Sequence, residues 1–347
     1  MDISSLPPFL ETVDHRAERA GASPFDLRSM VHLTPAPATL ATSLARADWG
    51  DVKVHRLDLA HGAHLRITAE ADTCLWGLIL YRSAAVTLSG SNWKPQEIVM
   101  LRGGKFELCA NGPGAFVLIE APERDVPGEI VDEMTAREAA FLTCGPSTEL
   151  LRDCCSSVFW LGADRQSAES TAALRNHLLT ILRRTIRFAE IRRPGDACRG
   201  RIELVRRAEA FMWEHVDEPL ELERIAEAIH CSPRTLVYCF NRCFGCGPMG
   251  FFRLQRLNAA RHALLVHTTR RRVIDIAVDY GFWHQGHFGT AYRRLFGETP
   301  AHTYRISATK GAAPAKNSAR ECARQDPASF RMRLAFTSGA PLGSGAP

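Results

Sequence analysis

Two stretches of the chain share one pattern of apolar, glycine and polar positions, and this repeat constrains the fold more than any other feature. The later copy spans residues 273–300. It opens with apolar side chains at i, i+3 and i+4, a spacing that predicts a helix of about two turns. These side chains are Ile274, Ala277 and Val278. Gly281 follows, and glycine readily adopts the left-handed backbone conformation that a sharp turn requires.

The later copy continues with a second predicted helix that starts near His284. Its buried face is predicted to carry apolar residues at i, i+4 and i+7, which are Phe288, Tyr292 and Leu295. The other face is polar and basic. The helix is expected to end at Gly297, because Pro300 cannot continue it. A short helix, a tight turn and a second helix with one polar face form a helix-turn-helix, whose second helix enters the major groove of DNA.

The same arrangement is predicted once more, over residues 222–245. Its first helix has an apolar stripe formed by Leu222, Ile225, Ala226 and Ile229. Ser232 and Pro233 then open a second helix, since serine is a favoured N-cap and proline a favoured first helical residue. The buried face of that helix is predicted to carry Leu236, Cys239, Phe240 and Cys243. Between the two copies, the apolar spacing of residues 248–266 predicts one connecting helix.

Three segments of the region 201–306 resemble the DNA-binding domain of the AraC/XylS family of transcription regulators. They read L-E-R-I-A-E-A-I-H-C-S-P-R-T-L, R-L-N-A-A-R-H-A-L-L, and D-I-A-V-D-Y-G-F-W-H-Q-G-H-F-G-T-A-Y-R-R-L-F-G-E-T-P. The resemblance implies sequence-specific binding to double-stranded DNA, regulation of transcription, usually as an activator, and RNA polymerase as a partner. It implies no enzyme activity and no cofactor, and the sequence contains no nucleophile elbow, P-loop or G-x-G-x-x-G turn.

The family's base-reading positions lie on the outer, amino-terminal halves of the two recognition helices. On this sequence they correspond to Arg234, Val237, Tyr238, Gln285, His287 and Thr290. An arginine can pair with guanine, a glutamine with adenine, and a valine can touch a thymine methyl group. Phosphate contacts are expected at Ser232, Arg242, Arg293 and Arg294. The family often has polar or basic residues where this chain has Val237 and Tyr238, which leaves the base specificity of the first unit open.

The distribution of charge also favours a phosphate partner. The whole chain carries a formal charge of +5. Between residues 231 and 306 there are eleven arginines, no lysine and three acidic residues, a net charge of +8, so the rest of the chain is close to −3. A basic block within a near-neutral chain is typical of nucleic-acid binding, and arginine is well suited to two-point contacts with phosphate or guanine.

The region from about 50 to 125 is predicted to form short strands separated by glycine and asparagine turns, a pattern typical of a β-barrel or sandwich. Residues 102–105, Arg-Gly-Gly-Lys, are predicted to be a hairpin turn between strands at 98–101 and 106–109. The run from Leu75 to Asp125 is similar to the amino-terminal domain of the ethanolamine-utilisation regulators, a subgroup of the same family. This similarity implies a cupin-like barrel that holds a small-molecule effector, with a small amine or a cobalamin as guesses.

Three aromatic residues of this region are core residues by default and candidates to line an effector pocket. They are Trp76, Trp93 and Phe106.

Residues 134–190 are predicted to be helical. A heptad seam runs along them, formed by Leu174, Leu178, Ile181, Thr185 and Phe188. Two interpretations stay open: the seam packs on the protein's own barrel, or it forms a homodimer through about 170–190.

The predicted protein is therefore an α+β multidomain chain, with a cupin-like β-barrel plus helices followed by an all-α domain with two helix-turn-helix units. Residues 1–190 form the effector-sensing and dimerisation domain, and within them residues 1–48 have only a loose pattern and are interpreted as an arm. Residues 191–200 form a linker, 201–306 the DNA-binding domain and 307–347 a disordered tail. No signal sequence or membrane span is predicted, so the chain is expected to be cytoplasmic.

Two further groups of residues could form a site or could simply pack in the core. Cys239, Cys243 and Cys246 share one helix face, which would suit a zinc ion or an oxidant sensor. Because that face also packs the recognition helix, cysteines acting as small apolar residues are the favoured interpretation. His61, His64 and Glu70 have some likeness to a cupin metal site, but their spacing differs from the H-x-H of cupin enzymes. No metal is expected, and a cupin-type metalloenzyme or a thiol redox sensor fused to a DNA-binding domain remain the alternatives.

Overall fold

The computed structural model describes residues 23–35, 42–125, 138–159, 168–187, 189–266 and 271–310. The chain divides into two compact units, residues 1–199 and residues 200–347. The first unit is rich in β-structure, and the described part of the second is helical. None of the described helices is both long and apolar enough to cross a membrane.

The described part of the amino-terminal unit contains ten strands and two α-helices. The strands are β1 (Phe25–His32), β2 (Ser43–Trp49), β3 (Val52–Leu59), β4 (Ala63–Arg82), β5 (Val86–Leu88), β6 (Ser91–Asn92), β7 (Glu97–Ala110), β8 (Gly114–Pro122), β9 (Glu138–Thr143) and β10 (Glu190–Arg192), and the helices are α1 (Ser147–Val158) and α2 (Ala168–Ile186). Strands β1 and β2 lie in the stretch interpreted as an arm. Strand β9 lies in a stretch predicted to be helical; that prediction is wrong there, because pairing with β7 buries both faces of an alanine-rich segment.

The strands form one sheet in the order β10-β9-β7-β4-β8-β3-β2. Strand β1 pairs with β4, and β5 pairs with β6 and β7. Among the described residues no pairing joins β10 to β2, so the sheet is open and the predicted cupin-like barrel is not confirmed.

Two long, bent strands replace the predicted succession of short ones. Strand β7 runs through residues 102–105 without reversing, so the predicted hairpin turn is wrong. Gly103 and Gly104 have φ values of 47° and 122°. Opposite them, β4 pairs Ala69 with Gly104 and then Cys74 with Arg102, so residues 70–73 bulge out of the ladder. The glycines therefore allow a kink within one strand, as β-bulges do.

The two faces of the sheet carry two separate cores. The first, which we call the helix-facing core, includes Trp76 and packs against Leu151 of α1 and Leu178 of α2. The second, which we call the inner core, is formed by side chains of the opposite face, including Trp93 and Phe116. Both faces of the sheet are thus removed from water, and strands such as β8 read as continuous apolar runs rather than as an alternation.

The heptad seam of α2 belongs to the helix-facing core. Leu178, Ile181 and Thr185 are buried within the single chain, and Leu174 is half-buried; Phe188 lies outside the described residues. Apart from Ala172 and Ala173 near its start, the exposed side chains in the described part of α2 are polar or basic and include Asn176, His177, Thr180, Arg183 and Arg184. The seam therefore packs on the protein's own sheet, the first of the two interpretations. A homodimer through 170–190 stays a prediction, and it would have to use the exposed face.

The connection after the sheet is shorter than the predicted linker of residues 191–200. Strand β10 pairs with β9, and Arg192 forms an ion pair with Glu97 at 2.8 Å. The Arg192 guanidinium also lies 4.2 Å from the centre of the Phe141 ring. The next helix begins at Asp196, which leaves residues 193–195 between the two elements.

Seven helices form the described part of the carboxyl-terminal region. They are α3 (Asp196–Glu214), α4 (Leu222–Ala228), α5 (Pro233–Phe244), α6 (Pro248–Val266), α7 (Val273–Asp279), α8 (Gln285–Phe296) and α9 (Pro300–Lys310). Helices α4 and α5 form one helix-turn-helix, α7 and α8 the other, and α6 is the predicted connecting helix. Helix α9 extends to Lys310, past the predicted domain end at 306; residues 311–347 lie outside the described chain.

The short helix α7 differs in one detail from its predicted pattern. Ile276 and Ala277 are buried, Ile274 is half-buried and Val278 is 39% exposed. The buried stripe therefore lies nearer to Ile276 than the i, i+3, i+4 spacing predicted, because a helix of seven residues has too few turns to define its face.

Candidate nucleic-acid interface

The first recognition helix, α5, begins and ends as its sequence predicts. The Ser232 hydroxyl accepts a hydrogen bond from the backbone N–H of Thr235 at 3.0 Å, which caps the helix. Gly245 ends the helix with a φ of 72°. Its four predicted core residues, Leu236, Cys239, Phe240 and Cys243, are all buried. The packing of these residues therefore determines which face of α5 is exposed.

The second recognition helix, α8, follows the same plan. His284 is its N-cap residue and Gly297 ends it with a φ of 71°. The predicted core residues Phe288, Tyr292 and Leu295 are buried. The Tyr292 hydroxyl donates a hydrogen bond to Oγ1 of Thr303 at 2.9 Å, which ties α8 to α9.

The two recognition helices correspond position by position. Each has 12 residues and a glycine with positive φ at its end. Counted from the N-cap, buried Leu236 corresponds to buried Phe288, and exposed Arg242 corresponds to exposed Arg294. The chain thus contains two copies of one scaffold, and each copy presents the same outer positions.

Most of the predicted DNA contacts lie on these outer faces. The exposed ones are Ser232, Arg234, Tyr238, Arg242, His287, Thr290, Arg293 and Arg294. Val237 is half-buried, and Gln285 is the first residue of α8, with a side chain outside the described set. Among the described residues, the four arginines of this set form no ion pair, so their charges are available to phosphate groups.

Other arginines of the basic segment are engaged within the unit. Arg261 pairs with Glu298 at 3.2 Å, Arg271 with Asp279 at 2.6 Å and Arg272 with Asp275 at 2.9 Å. Arg261 also lies 4.8 Å from the centre of the Phe296 ring. The net charge of the segment is therefore larger than the charge that is available to bind a ligand. Within the described residues of this segment, most of the arginines that form no ion pair lie on α5 and α8.

Arg256 is a residue that positions the second unit, a role that the sequence pattern did not indicate. Its guanidinium lies 4.9 Å and 5.0 Å from the ring centres of Phe252 and Phe282, and Nη1 donates a hydrogen bond to the Gly281 carbonyl at 3.3 Å. Burial lowers the pKa of Arg256 to about 10, so it stays charged at neutral pH. Arg256 thereby joins α6 to the turn that positions α8. The sequence feature that indicates this role is the i+4 spacing of Arg256 from Phe252 on a largely buried helix.

The prediction that Cys239, Cys243 and Cys246 share one helix face is wrong, because α5 ends at Phe244 and Cys246 lies beyond its glycine cap. Cys239 and Cys243 are buried in the apolar face of the helix. Burial raises the pKa of Cys239, and it raises the pKa of Cys246 to about 11. The thiolate is the form that binds metal or reacts with oxidants, and burial disfavours it here. Within the described residues, no group of three or more histidine, cysteine or acidic residues is placed to hold a metal.

The three aromatic residues proposed to line an effector pocket do not share one space. Trp76 is fully buried in the helix-facing core, whereas Trp93 and Phe106 belong to the inner core. The Trp93 indole donates a hydrogen bond to the Glu97 carbonyl at 3.1 Å. Because the sheet separates the two cores, a single pocket lined by all three side chains is not formed. The inner-core pair remains a prediction.

The histidines that have some likeness to a cupin metal site have other partners. His64 Nε2 lies 2.9 Å from the carboxylate of Glu107, which also accepts a hydrogen bond from Arg66 at 3.3 Å. His61 stacks on His32 with ring centres 4.4 Å apart. Glu70 is exposed farther along β4. The residues His61, His64 and Glu70 are thus not brought together.

A buried histidine of the amino-terminal unit gives a prediction about acid stability. His55 is fully buried, and burial lowers its pKa. Its neighbour Glu120 accepts hydrogen bonds from His55 and Lys53, which lower the pKa of Glu120 to about 2. The folded chain therefore binds fewer protons than the unfolded chain. Stability should fall as pH drops below about 6.5, where the unfolded histidine takes up a proton.

We expect His55→Gln to show a smaller loss of melting temperature between pH 7 and pH 5 than the wild type, as measured by calorimetry of the full chain. The same replacement at His177, which is exposed on α2, should leave the loss unchanged. An equal loss in the wild type and both variants would show that His55 does not carry the effect.

The geometry defines a class: a domain with two helix-turn-helix units, each with a basic recognition helix. A family model described as a helix-turn-helix domain matches residues 225–306. The XylDLEGF operon transcriptional activator 2 of Pseudomonas putida is 38% identical over 101 residues, 29% of this chain and 64% of that protein. The HTH-type transcriptional regulator ArgR of Pseudomonas aeruginosa is 34% identical over 90 residues, 26% of this chain and 27% of that protein.

Among solved structures, a probable AraC family transcriptional regulator from Rhodopseudomonas palustris is 31% identical, with 30% of this chain and 96% of that chain covered and a TM-score of 0.27. The chain spans 64% of the first curated relative and 27% of the second. The family model and the relatives together show that the helical domain is a helix-turn-helix domain of the AraC/XylS family.

Proposed function

We propose that the protein is a sequence-specific DNA-binding transcription regulator that responds to a small-molecule effector and acts as an activator. The observation that carries the proposal is the pair of matched recognition helices with unpaired arginines on their outer faces. Relatives of the helical domain are named as an operon transcriptional activator and a transcriptional regulator, which supports the regulatory role. RNA polymerase is proposed as a partner from the resemblance to the family alone.

The two units are proposed to read successive segments of the major groove, about 34 Å apart. In the first unit, Arg234, Val237 and Tyr238 face the bases, and in the second unit Gln285, His287 and Thr290 do so. Ser232, Arg242, Arg293 and Arg294 bind phosphate groups, which fix the register of the protein on DNA without carrying sequence information. The exposure of the described members of this set other than Val237, which is half-buried, and the shared geometry of α5 and α8 support this assignment.

The amino-terminal unit is proposed to be the sensor. A small molecule bound there, in a cupin-like arrangement of the sheet, would change the affinity for DNA by a coupling of about 1–3 kcal/mol. The division of the chain into two compact units supports separate sensing and DNA-binding roles. The alternatives, a metalloenzyme or a thiol sensor, lose support because the candidate histidines have other partners and because Cys239 and Cys243 are buried.

The direct test is selection of DNA from a random-sequence library by the full chain. We expect enrichment of two short conserved blocks whose centres are separated by about one helical turn. Recovery of a single block would contradict the use of both units. Recovery of no preferred sequence at low salt would overturn the proposed function.

Arg293 provides a quantitative test of the phosphate contacts. Arg293→Ala should weaken binding to all sequences alike and reduce the slope of log affinity against log salt by about 1, because one fewer counterion is released. Arg272→Ala removes the same charge from a residue already paired with Asp275, and it should change the slope little. Equal effects of both variants would indicate a general charge effect rather than a contact at Arg293, and a loss confined to one base pair would make Arg293 a base-reading residue.

A further inference from the structure

The largest apolar side chain beside the second recognition helix points into solvent. Trp283 is 49% exposed, and in the described part of the chain its indole makes no hydrogen bond. Its neighbour Phe282 is half-buried and packs on Phe288, with ring centres 5.0 Å apart. His284 has extended backbone angles of −103° and 105°. Successive side chains of an extended segment point to opposite sides, which directs Phe282 inward and Trp283 outward.

The packing of the helical domain does not account for this exposed indole. Tryptophan buries a large apolar area when it is enclosed, and it is enriched in binding interfaces. The corresponding position of the first unit, just before the N-cap, is Cys231, a small and half-buried residue. The feature therefore belongs to the second unit alone and is not a requirement of the shared scaffold.

The surroundings of Trp283 favour nucleic acid as its partner. It lies just ahead of the amino-terminal end of α8, the end of a recognition helix that contacts base edges. From Gly281 to Gly297 there is no acidic residue, while Arg293 and Arg294 are exposed on the same helix. An apolar side chain on a basic surface fits an anionic partner that also offers apolar groups. In the major groove such groups are the C5 methyl groups of thymine.

We propose that Trp283 is a further base-contacting residue, whose indole packs against the C5 methyl group of a thymine at the edge of the segment read by α8. A side-chain carbon placed on Gly286 or on Gly289 would meet no other atom within 4 Å. These two positions of α8 therefore carry no side chain and are open, which leaves room for a base edge at this helix. The inference rests on the proposed function, since it requires α8 to enter the major groove.

The experiment measures binding of the full chain to its selected DNA, with each thymine replaced in turn by deoxyuridine, which lacks only the methyl group. For the wild type, replacement at one thymine in the block read by α8 should weaken binding about fourfold, the effect expected for burying one carbon group. Trp283→Ala should weaken binding to the thymine DNA by at least this factor. In that variant the deoxyuridine replacement should have no further effect, as a double-mutant cycle requires for a direct contact.

Two controls keep the result specific. Val278→Ala removes another exposed apolar side chain of the same unit, and it should leave every affinity unchanged. Trp283→Leu is the second variant if Trp283→Ala lowers the melting temperature; it should retain part of the sensitivity to the methyl group.

The inference is overturned if deoxyuridine weakens binding of Trp283→Ala as much as it weakens binding of the wild type. It is also overturned if Trp283→Ala binds all DNA normally but loses activation of a reporter, since Trp283 would then contact a protein. Failure of the wild type to select any DNA sequence is a different outcome, because that would remove the proposed function itself.

Discussion

Gly281→Ala is expected to destabilise the helical domain by about 3 kcal/mol, which combines the cost of a left-handed alanine with that of overpacking. Gly281 has a φ of 74°, and a side-chain carbon built on it would lie 2.6 Å from the Val216 carbonyl oxygen and 2.8 Å from Nη1 of Arg256. The carbonyl is part of the backbone and cannot move aside cheaply. A loss of this size lowers the melting temperature of a domain of about 100 residues by more than about 10 °C.

The same substitution should also weaken binding to every DNA sequence. Gly281 is the turn residue between α7 and α8, and its carbonyl accepts the hydrogen bond from Arg256 that fixes the turn to α6. Displacing this turn moves the whole recognition helix rather than one contact. Affinity should therefore fall for specific and non-specific DNA together.

Gly286→Ala is the matched control. Gly286 lies within α8, and a side-chain carbon there would meet no atom within 4 Å. Alanine is favoured over glycine in a helix interior by up to about 1 kcal/mol, so this variant should melt at the same temperature or slightly higher. A similar destabilisation by both substitutions would show that the close approach at Gly281 is not the cause.

Leu178→Ala is expected to destabilise the amino-terminal unit by about 3 kcal/mol, the middle of the range for a leucine removed from a core. Leu178 is fully buried in the helix-facing core. Because it packs within one chain, the loss should be independent of protein concentration. The measurement is thermal unfolding of the full chain over a hundredfold range of concentration.

His177→Ala changes the neighbouring residue on the exposed face of α2 and should leave the unfolding temperature unchanged. The alternative interpretation of the seam makes the opposite prediction. If Leu178 formed a dimer interface, the melting temperature of the wild type would rise with concentration. Leu178→Ala would then abolish that dependence while the monomer kept its stability.

The helical domain could be predicted from the sequence nearly residue by residue. Its signals are local: Ser232 and Pro233 open α5, and Gly245 and Gly297 end the two recognition helices. Caps, glycines with positive φ and apolar residues at helical spacing act within a few residues of where they occur. The contacts that they specify therefore need no knowledge of distant parts of the chain.

The amino-terminal sheet was less predictable because its partners are distant in sequence. In the sequence, Gly103 and Gly104 are compatible both with a kink within one strand and with a hairpin turn. Only the pairing of β7 with β4 and β9 distinguishes the two. The alanine-rich segment of β9 is compatible with a helix until an edge of the sheet is available to it. Whether the described strands form an open sheet or a closed barrel also depends on the pairing of the whole sheet.

The sequence by itself determined the two helix-turn-helix units, the helix between them and the basic character of their outer faces. Only the tertiary structure decided on which side of the sheet each aromatic residue lies, which placed Trp76 and Trp93 in different cores. It also decided that Arg256 holds a turn instead of offering its charge, and that Trp283 faces solvent. The physical reason is that helix signals are read over one or two turns, whereas burial depends on which distant segments pack against a residue.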